Sequence, residues 1–151
     1  MPASDFYLGT NVLLAACLAE RQSQRVRRWV DEAAGALATG DRALAEFVSA
    51  LGIKVRRGEL SAAQDDAAHS VLPDNFLPAV TVHRTDADLV QVVPLLLKEY
   101  GLGLRTGDAM HVAFCVRLKR VVLATADRVL ARAARRFGLT VERVYRAPAC
   151  R

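Results

Sequence analysis

Short apolar segments alternate with longer segments of helical periodicity along most of the chain, and this alternation constrains the fold more than any other feature. Such alternation indicates a parallel sheet with helices on both faces, because parallel strands need crossover connections. The predicted strands are residues 6–8, 37–39, 79–82, 121–125 and 140–142, the last at one edge. Residues 121–125 form an apolar run that is typical of a buried parallel strand.

Seven segments between these strands are predicted to be helical. They are residues 10–19, 22–34, 41 to a break at 58, 61–69, 86–100, 106–118 and 127–137. Thr10 and Asp41 are predicted N-caps, and Gly35 is predicted to end the second helix. Pro73 and Pro78 are predicted to bracket a loop. The third helix is predicted to bury an apolar stripe made of Leu44, Phe47, Val48 and Leu51.

Length and composition favour one globular domain spanning residues 1–151, because 52% of the residues are hydrophobic and no linker or repeat interrupts the chain. No apolar run reaches the roughly 20 residues that a membrane span needs. The first five residues lack the basic start and apolar stretch of a signal peptide, so we expect a cytoplasmic protein. Cys17 and Cys115 are predicted to be reduced core residues, and Cys150 to be exposed.

The net charge is +5, mostly from arginine, with a sequence pI of about 9.6. The arginines cluster at positions 25, 27 and 28, at 56 and 57, and at 128, 132, 135 and 136. A basic surface attracts polyanions. Charge alone does not separate a nucleic-acid-binding surface from an ordinary solvated one.

Polar residues follow the predicted strands at their carboxyl ends, where open parallel sheets bind ligands. Taken singly, each acid has a structural explanation: Asp108 in a first helical turn, Asp127 as an N-cap, Glu46 on a solvated helix face. Taken together, three acids converging on one point repel each other unless a cation is present. Mg²⁺ and Mn²⁺ prefer such oxygen ligands, so we expect a divalent metal site.

Four segments, in this order, resemble the PIN-domain family, and within it the VapC-type toxins of bacterial toxin–antitoxin pairs. They are Phe6–Leu14, Leu44-Ala45-Glu46, Thr106–Ala113 and Leu123–Asp127. The resemblance implies a three-layer α/β/α sandwich with a parallel sheet of about five strands. It also implies a Mg²⁺- or Mn²⁺-dependent endoribonuclease that forms a homodimer and binds an antitoxin. The implied substrate is a structured RNA, either tRNA or rRNA.

The resemblance assigns the acids of the site residue by residue. Glu46, Asp108 and Asp127 match three of the family's four acids and are the predicted catalytic and metal-binding residues. Three small polar residues match positions that support such sites: Thr10, Asn11 and Thr125. His111, one turn after Asp108, is interpreted as a packing and hydrogen-bonding residue and not as a general base.

Gly9 stands where the family has its first acid, at the end of the first strand. Asp5 cannot replace that acid, because four residues along a strand span about 13 Å and place it at the opposite edge of the sheet. Gly9 is either a natural loss of activity or a change selected against a toxic nuclease. The sequence therefore predicts a crippled ribonuclease or, alternatively, an inactive PIN module that binds antitoxin or RNA without cleavage. A receiver-like or phosphatase-like domain is disfavoured, since its reactive Asp would also occupy position 9.

Overall fold

The computed structural model describes residues 5–33, 36–119 and 121–146, and the predictions for Gly35 and Cys150 lie outside these ranges. The strands are β1 Phe6–Leu8, β2 Leu37–Gly40, β3 Val80–His83, β4 Val122–Ala124 and β5 Val141–Glu142. The α-helices are α1 Thr10–Cys17, α2 Ser23–Glu32, α3 Asp41–Arg56, α4 Ala62–Val71, α5 Ala87–Leu97, α6 Thr106–Leu118 and α7 Arg128–Arg136.

The five strands form one parallel sheet in the order β3-β2-β1-β4-β5. β1 is central: Tyr7 is in register with Ala38 of β2 on one side and with Leu123 of β4 on the other. The chain moves outward from β1 in one direction through β2 and β3, and in the other through β4 and β5. The switch in strand order therefore falls beside β1, and the predicted parallel α/β fold with an edge strand at 141–142 is confirmed.

Helices cover both faces of the sheet and create two hydrophobic cores. Successive side chains of β1 point to opposite faces, so Leu8 packs into the core under α1 to α4 and Tyr7 into the core under α5 to α7. The buried thiols of Cys17 and Cys115 are free, as predicted, and burial raises the pKa of each to about 12. No helix in the described part of the chain is long and apolar enough to cross a bilayer.

Two helices begin one residue away from the predicted caps. Gly9 and Gly40 are the N-caps of α1 and α3, each with extended backbone and no side chain to bond the first turn. Thr10 and Asp41 are therefore the first helical residues, and both predictions of an N-cap were wrong. Their side chains are engaged elsewhere: the Asp41 carboxylate accepts hydrogen bonds from the backbone and hydroxyl of Thr85.

Two further local predictions were wrong. Val48 is 52% exposed, because Ala43, Phe47 and Leu51 already supply the buried stripe of α3. The segment between Pro73 and Pro78 is not an open loop. It continues α4 as a π-helical turn, Leu72–Phe76, in which Phe76 is buried. A 3₁₀ turn, Leu77–Ala79, follows and leads directly into β3.

Gly40 is needed because the Phe114 ring packs directly against the end of β2. A Cβ at position 40 would lie 2.7 and 2.8 Å from two carbons of that ring, far inside van der Waals contact. The backbone at Gly40 is ordinary extended chain, so space and not conformation demands glycine here.

We predict that Gly40→Ala lowers the free energy of unfolding by about 1–3 kcal/mol, the usual cost of overpacking a core. Urea denaturation measures the loss. Gly101→Ala is the matched control, because a Cβ at Gly101 would meet nothing within 4 Å. A combined Gly40→Ala and Phe114→Leu variant should lose less free energy of unfolding than the sum of the losses of the two single variants. Equal stability of Gly40→Ala and the natural chain would contradict this packing.

Candidate active site

Glu46, Asp108 and Asp127 line one open cavity of about 620 Å³ at the carboxyl edge of the sheet. Each comes from a different element: Glu46 from the second turn of α3, Asp108 from the first turn of α6, and Asp127 from the N-cap of α7. The cavity lies beside the carboxyl ends of β1 and β4, next to the switch in strand order. The predicted supporting residues Thr10, Asn11 and Thr125 line the same cavity.

Glu46 is held by three neighbours. The Thr10 hydroxyl donates to its Oε2 at 2.6 Å, Nε2 of His111 lies 2.9 Å from the same oxygen, and Nε of Arg42 lies 3.3 Å from Oε1. Burial alone would raise the pKa of Glu46, but the hydrogen bonds from His111 and Thr10 outweigh it and lower the pKa to about 2. Glu46 is therefore ionised at neutral pH and is not a solvated surface residue.

His111 connects Glu46 to the sheet. Its buried ring lies with Nδ1 3.0 Å from the Tyr7 hydroxyl, and that hydroxyl accepts a hydrogen bond from the Gly40 amide at 3.1 Å. The Tyr7 proton is thus free for Nδ1, which leaves Nε2–H to donate to Glu46. Burial raises the pKa of Tyr7 well above its usual value and keeps it protonated. His111 has the hydrogen-bonding surroundings that the sequence predicts for it.

Asp108 and Asp127 also perform the structural tasks that their positions suggest. Oδ2 of Asp108 accepts from the Arg105 amide at 3.1 Å, and Oδ1 of Asp127 accepts from the amides of Val129 and Leu130 at 2.7 and 3.0 Å. Each carboxylate keeps its second oxygen free of hydrogen bonds within the described residues. Asp108 and Asp127 can therefore bond the backbone at the start of a helix and line the cavity at the same time.

The ends of β1 and β4 are joined through Asn11. Its side-chain amide donates to the Thr125 hydroxyl at 3.3 Å, and its Oδ1 accepts from the Ala126 amide at 3.3 Å. The Thr125 hydroxyl in turn accepts from the Asp127 amide at 3.0 Å. Asn11 and Thr125 therefore orient the turn that carries Asp127.

Gly9 is buried at the end of β1 and is not among the residues that line the cavity. Its backbone (φ −70°, ψ 157°) is one that any residue adopts. A Cβ there would lie 3.3 Å from the Ala124 carbonyl oxygen, 3.4 Å from Oγ1 of Thr125 and 3.5 Å from Oδ1 of Asn11. A side chain at position 9 is therefore accommodated with small shifts, and it would begin beside two residues of the cavity.

Other residues that line the cavity have no assigned role in the sequence analysis, among them Arg42, Arg105 and Gly107. Arg42 lies one helical turn before Glu46 on α3, a spacing that predicts an ion pair and could have revealed it. Arg105 precedes α6 and has no such signal. Gly107 provides the space for Glu46, because a Cβ at position 107 would collide with Oε1 of that carboxylate.

The donor set fits a hard divalent cation in its chemistry. Burial raises the pKa of Asp108, and the charges of Asp127 and Glu46 add to the rise, although the Arg105 amide opposes it. Burial is the largest cause of this rise, and the two neighbouring carboxylates are secondary causes. The distances between these side chains are not those of a formed metal site. Within residues 5–33, 36–119 and 121–146, no three acidic, histidine or cysteine side chains are grouped so that they could hold a metal ion.

The match to the family model for the PIN domain extends over residues 6–136. It includes strands β1 to β4, most of both hydrophobic cores and all three acids of the cavity. The chain therefore belongs to the PIN-domain family. A search of curated protein sequences found no match.

Solved structures share this fold at low sequence identity. VapC20 from Mycobacterium tuberculosis, described as a Sarcin-Ricin loop cleaving toxin, is 16% identical with a TM-score of 0.69, over 85% of this chain and 95% of that one. FitAcB from Neisseria gonorrhoeae is 19% identical with a TM-score of 0.65, over 92% and 97%. VapBC2 from Rickettsia felis, bound to a DNA fragment from their promoter, is 18% identical with a TM-score of 0.66, over 91% and 96%.

We predict that Gly107→Ala displaces Glu46 while the protein stays folded, since the end of a flexible side chain can move away from the new methyl group. Glu46 would then lose its bonds to Thr10 and His111. Its pKa, followed by NMR titration of the carboxyl carbon, should rise from about 2 toward the ordinary 4.5. Gly101→Ala should leave it unchanged, and an unchanged pKa in Gly107→Ala would contradict the contact.

Proposed function

We propose that this chain is a VapC-like toxin, a cytoplasmic metal-dependent endoribonuclease whose activity is crippled by Gly9. The observation that carries the proposal is the convergence of three carboxylates, from three helices, on one cavity beside the switch in strand order. The substrate class is RNA, tRNA or rRNA by family resemblance. The reaction is hydrolysis of a phosphodiester bond.

The chain's own residues would divide the work. Asp108 and Asp127 line the cavity, each with one oxygen free of hydrogen bonds within the described residues, and would hold Mg²⁺ or Mn²⁺. Such a cation lowers the pKa of an attacking water and offsets charge that develops on the phosphate. Glu46, ionised and fixed by Thr10 and His111, would orient that water and accept its proton. Asn11 and Thr125 would keep the turn before Asp127 in place.

The second candidate is a PIN module that binds a partner or RNA without cleavage. Two observations favour it. Gly9 removes the family's first acid, and the guanidinium of Arg42 already partly neutralises Glu46. Both observations describe a cavity with less negative charge than a working four-acid site would have.

From the resemblance to VapC-type toxins we also propose that the chain binds an antitoxin protein and forms a homodimer. Large apolar side chains support a protein contact on α5, where Leu95 is 63% and Val90 is 49% exposed. Leu89, Val93 and Leu96 of the same helix are buried in the core, whereas Leu95 and Val90 are left exposed within the described residues.

We predict that Gly9→Asp turns an inert or feeble chain into a ribonuclease. The position accepts a side chain, and a carboxylate there would begin beside Thr125 and Asn11 and add the missing charge. The rate of RNA cleavage with Mn²⁺ or Mg²⁺ should rise by orders of magnitude, and growth of an expressing host should slow.

Gly9→Asn is the matched control, because it has similar volume without charge and should recover little. Gly9→Asp combined with Asp127→Asn should again be inactive, which excludes a contaminating nuclease. If Gly9→Asp neither cleaves RNA nor slows growth, the nuclease proposal fails and the binding module replaces it.

A second prediction concerns the metal itself. Three carboxylates offer less charge and fewer ligands than four to a cation that loses its water reluctantly. Calorimetry should therefore find Mn²⁺ binding at least several-fold weaker in the natural chain than in Gly9→Asp, with Gly9→Asn resembling the natural chain. Equal affinities in all three would mean that position 9 is not a ligand position.

A further inference from the structure

A second cavity, of about 780 Å³, is lined almost entirely by arginine. We call it the arginine groove, and its lining residues are Gln22, Arg25, Arg128, Arg135, Arg143, Tyr145 and Arg146. The five arginines come from three separate parts of the chain: α2, α7 and the segment after β5. No carboxylate lines the groove, and none of the five arginines forms an ion pair within the described residues.

Converging guanidinium groups repel one another and need an anion between them. Arg143 shows this need most directly. Its Nη2 donates to the Ala126 carbonyl at 3.2 Å, while its Nε is buried without any hydrogen-bond partner. A buried donor left unpaired is costly. Arg143 also lines the groove, where an anion could accept from its guanidinium group.

The groove lies next to the acid-lined cavity. Arg128 directly follows Asp127 in the chain, and the carbonyl held by Arg143 belongs to the residue just before Asp127. A third, smaller cavity shares Asn11 with the acidic cavity and Tyr145 with the groove, and the Tyr145 hydroxyl donates to the Asn11 carbonyl at 3.2 Å. A bound strand could therefore pass from one cavity to the other without leaving the surface.

The arrangement suits a chain of negative charges. Arg128 and Arg135 lie seven residues apart on α7, about 10 Å along the helix axis, so the groove offers more than one anion contact in a row. Guanidinium groups bind phosphate oxygens through paired N–H donors. Arg132, by contrast, points away and donates to the carbonyls of Gly101 and Leu102.

We propose that the arginine groove binds backbone phosphates of the RNA strand on one side of the bond that enters the acidic cavity. This inference rests on the proposed function, since it names the path of that function's substrate. The groove positions the strand through its phosphates and carries no base specificity of its own.

The test measures binding separately from cleavage. The unchanged chain, with Gly9 and in EDTA, is titrated with a fluorescent single-stranded RNA oligonucleotide over a range of salt concentrations. In the double variant Arg25→Gln with Arg135→Gln we expect about tenfold weaker binding at low salt. The slope of log affinity against log salt should fall by about 1.4, because each lost phosphate contact on a single strand contributes about 0.7.

The matched control is Arg28→Gln with Arg136→Gln. It removes the same charge from the same two helices, at exposed positions that do not line the groove. The control should keep most of the affinity and the slope. Equal losses of RNA affinity in both double variants would overturn the proposal that the groove binds RNA. They would mean that only the general positive charge of the protein attracts RNA. Tighter groove-dependent binding of a polyglutamate peptide than of RNA would overturn the RNA assignment.

The same variants in the Gly9→Asp background separate this inference from the proposed function. Groove variants that raise KM for cleavage, with kcat little changed, support both. In one outcome, Gly9→Asp is inactive while the groove double variant of the Gly9 chain still binds RNA more weakly than the unchanged chain does. In that case the nuclease proposal fails and the groove proposal stands. If Gly9→Asp cleaves RNA and both double variants behave alike, the groove fails and the nuclease proposal remains.

Discussion

The central position of β1, paired in parallel with β2 on one side and β4 on the other, is the constraint on which the rest of the structure depends. Parallel strands end at the same edge, so Gly9 and Thr125 meet there although they are 116 positions apart in the sequence. The same pairing sends α1 and α3 to one face and α6 to the other. The acidic cavity is the gap that these helices leave above the strand ends.

A continuous hydrogen-bonded chain fixes the most buried part of this cavity. It runs from the Gly40 amide through Tyr7 and His111 to Glu46, and so links the end of β2, the centre of the sheet and two helices. Buried polar groups are costly when unpaired, which makes this chain specify one arrangement of its members. Gly40 and Gly107 allow this arrangement because they have no side chain. A methyl group would collide with the Phe114 ring at position 40 and with the Glu46 carboxylate at position 107.

The electrostatics of the carboxyl edge are divided between two neighbouring regions of opposite sign. Acids converge on the cavity above β1 and β4, while arginines converge on the groove beside α7. The boundary between them is the short turn at residues 126–128, where the Ala126 carbonyl, Asp127 and Arg128 follow one another. Arg42 and Arg105 at the cavity rim show that the separation is incomplete. The proposed function, metal-dependent cleavage of a polyanion, would use both regions.

The sequence by itself determined the order of strands and helices, the burial of the two cysteines, and the family to which the chain belongs. Each of these follows from local periodicity or from motifs that lie within a few residues. Tertiary structure decided the remainder. Glu46 is on a face that periodicity assigns to solvent, yet Thr10 and His111, 36 and 65 positions away, capture it. Thr10 is the first residue of its helix and not the cap, its hydroxyl bonds that carboxylate, and five arginines from distant segments form one groove. Long-range contacts of this kind depend on how helices pack on the sheet, which no local pattern encodes.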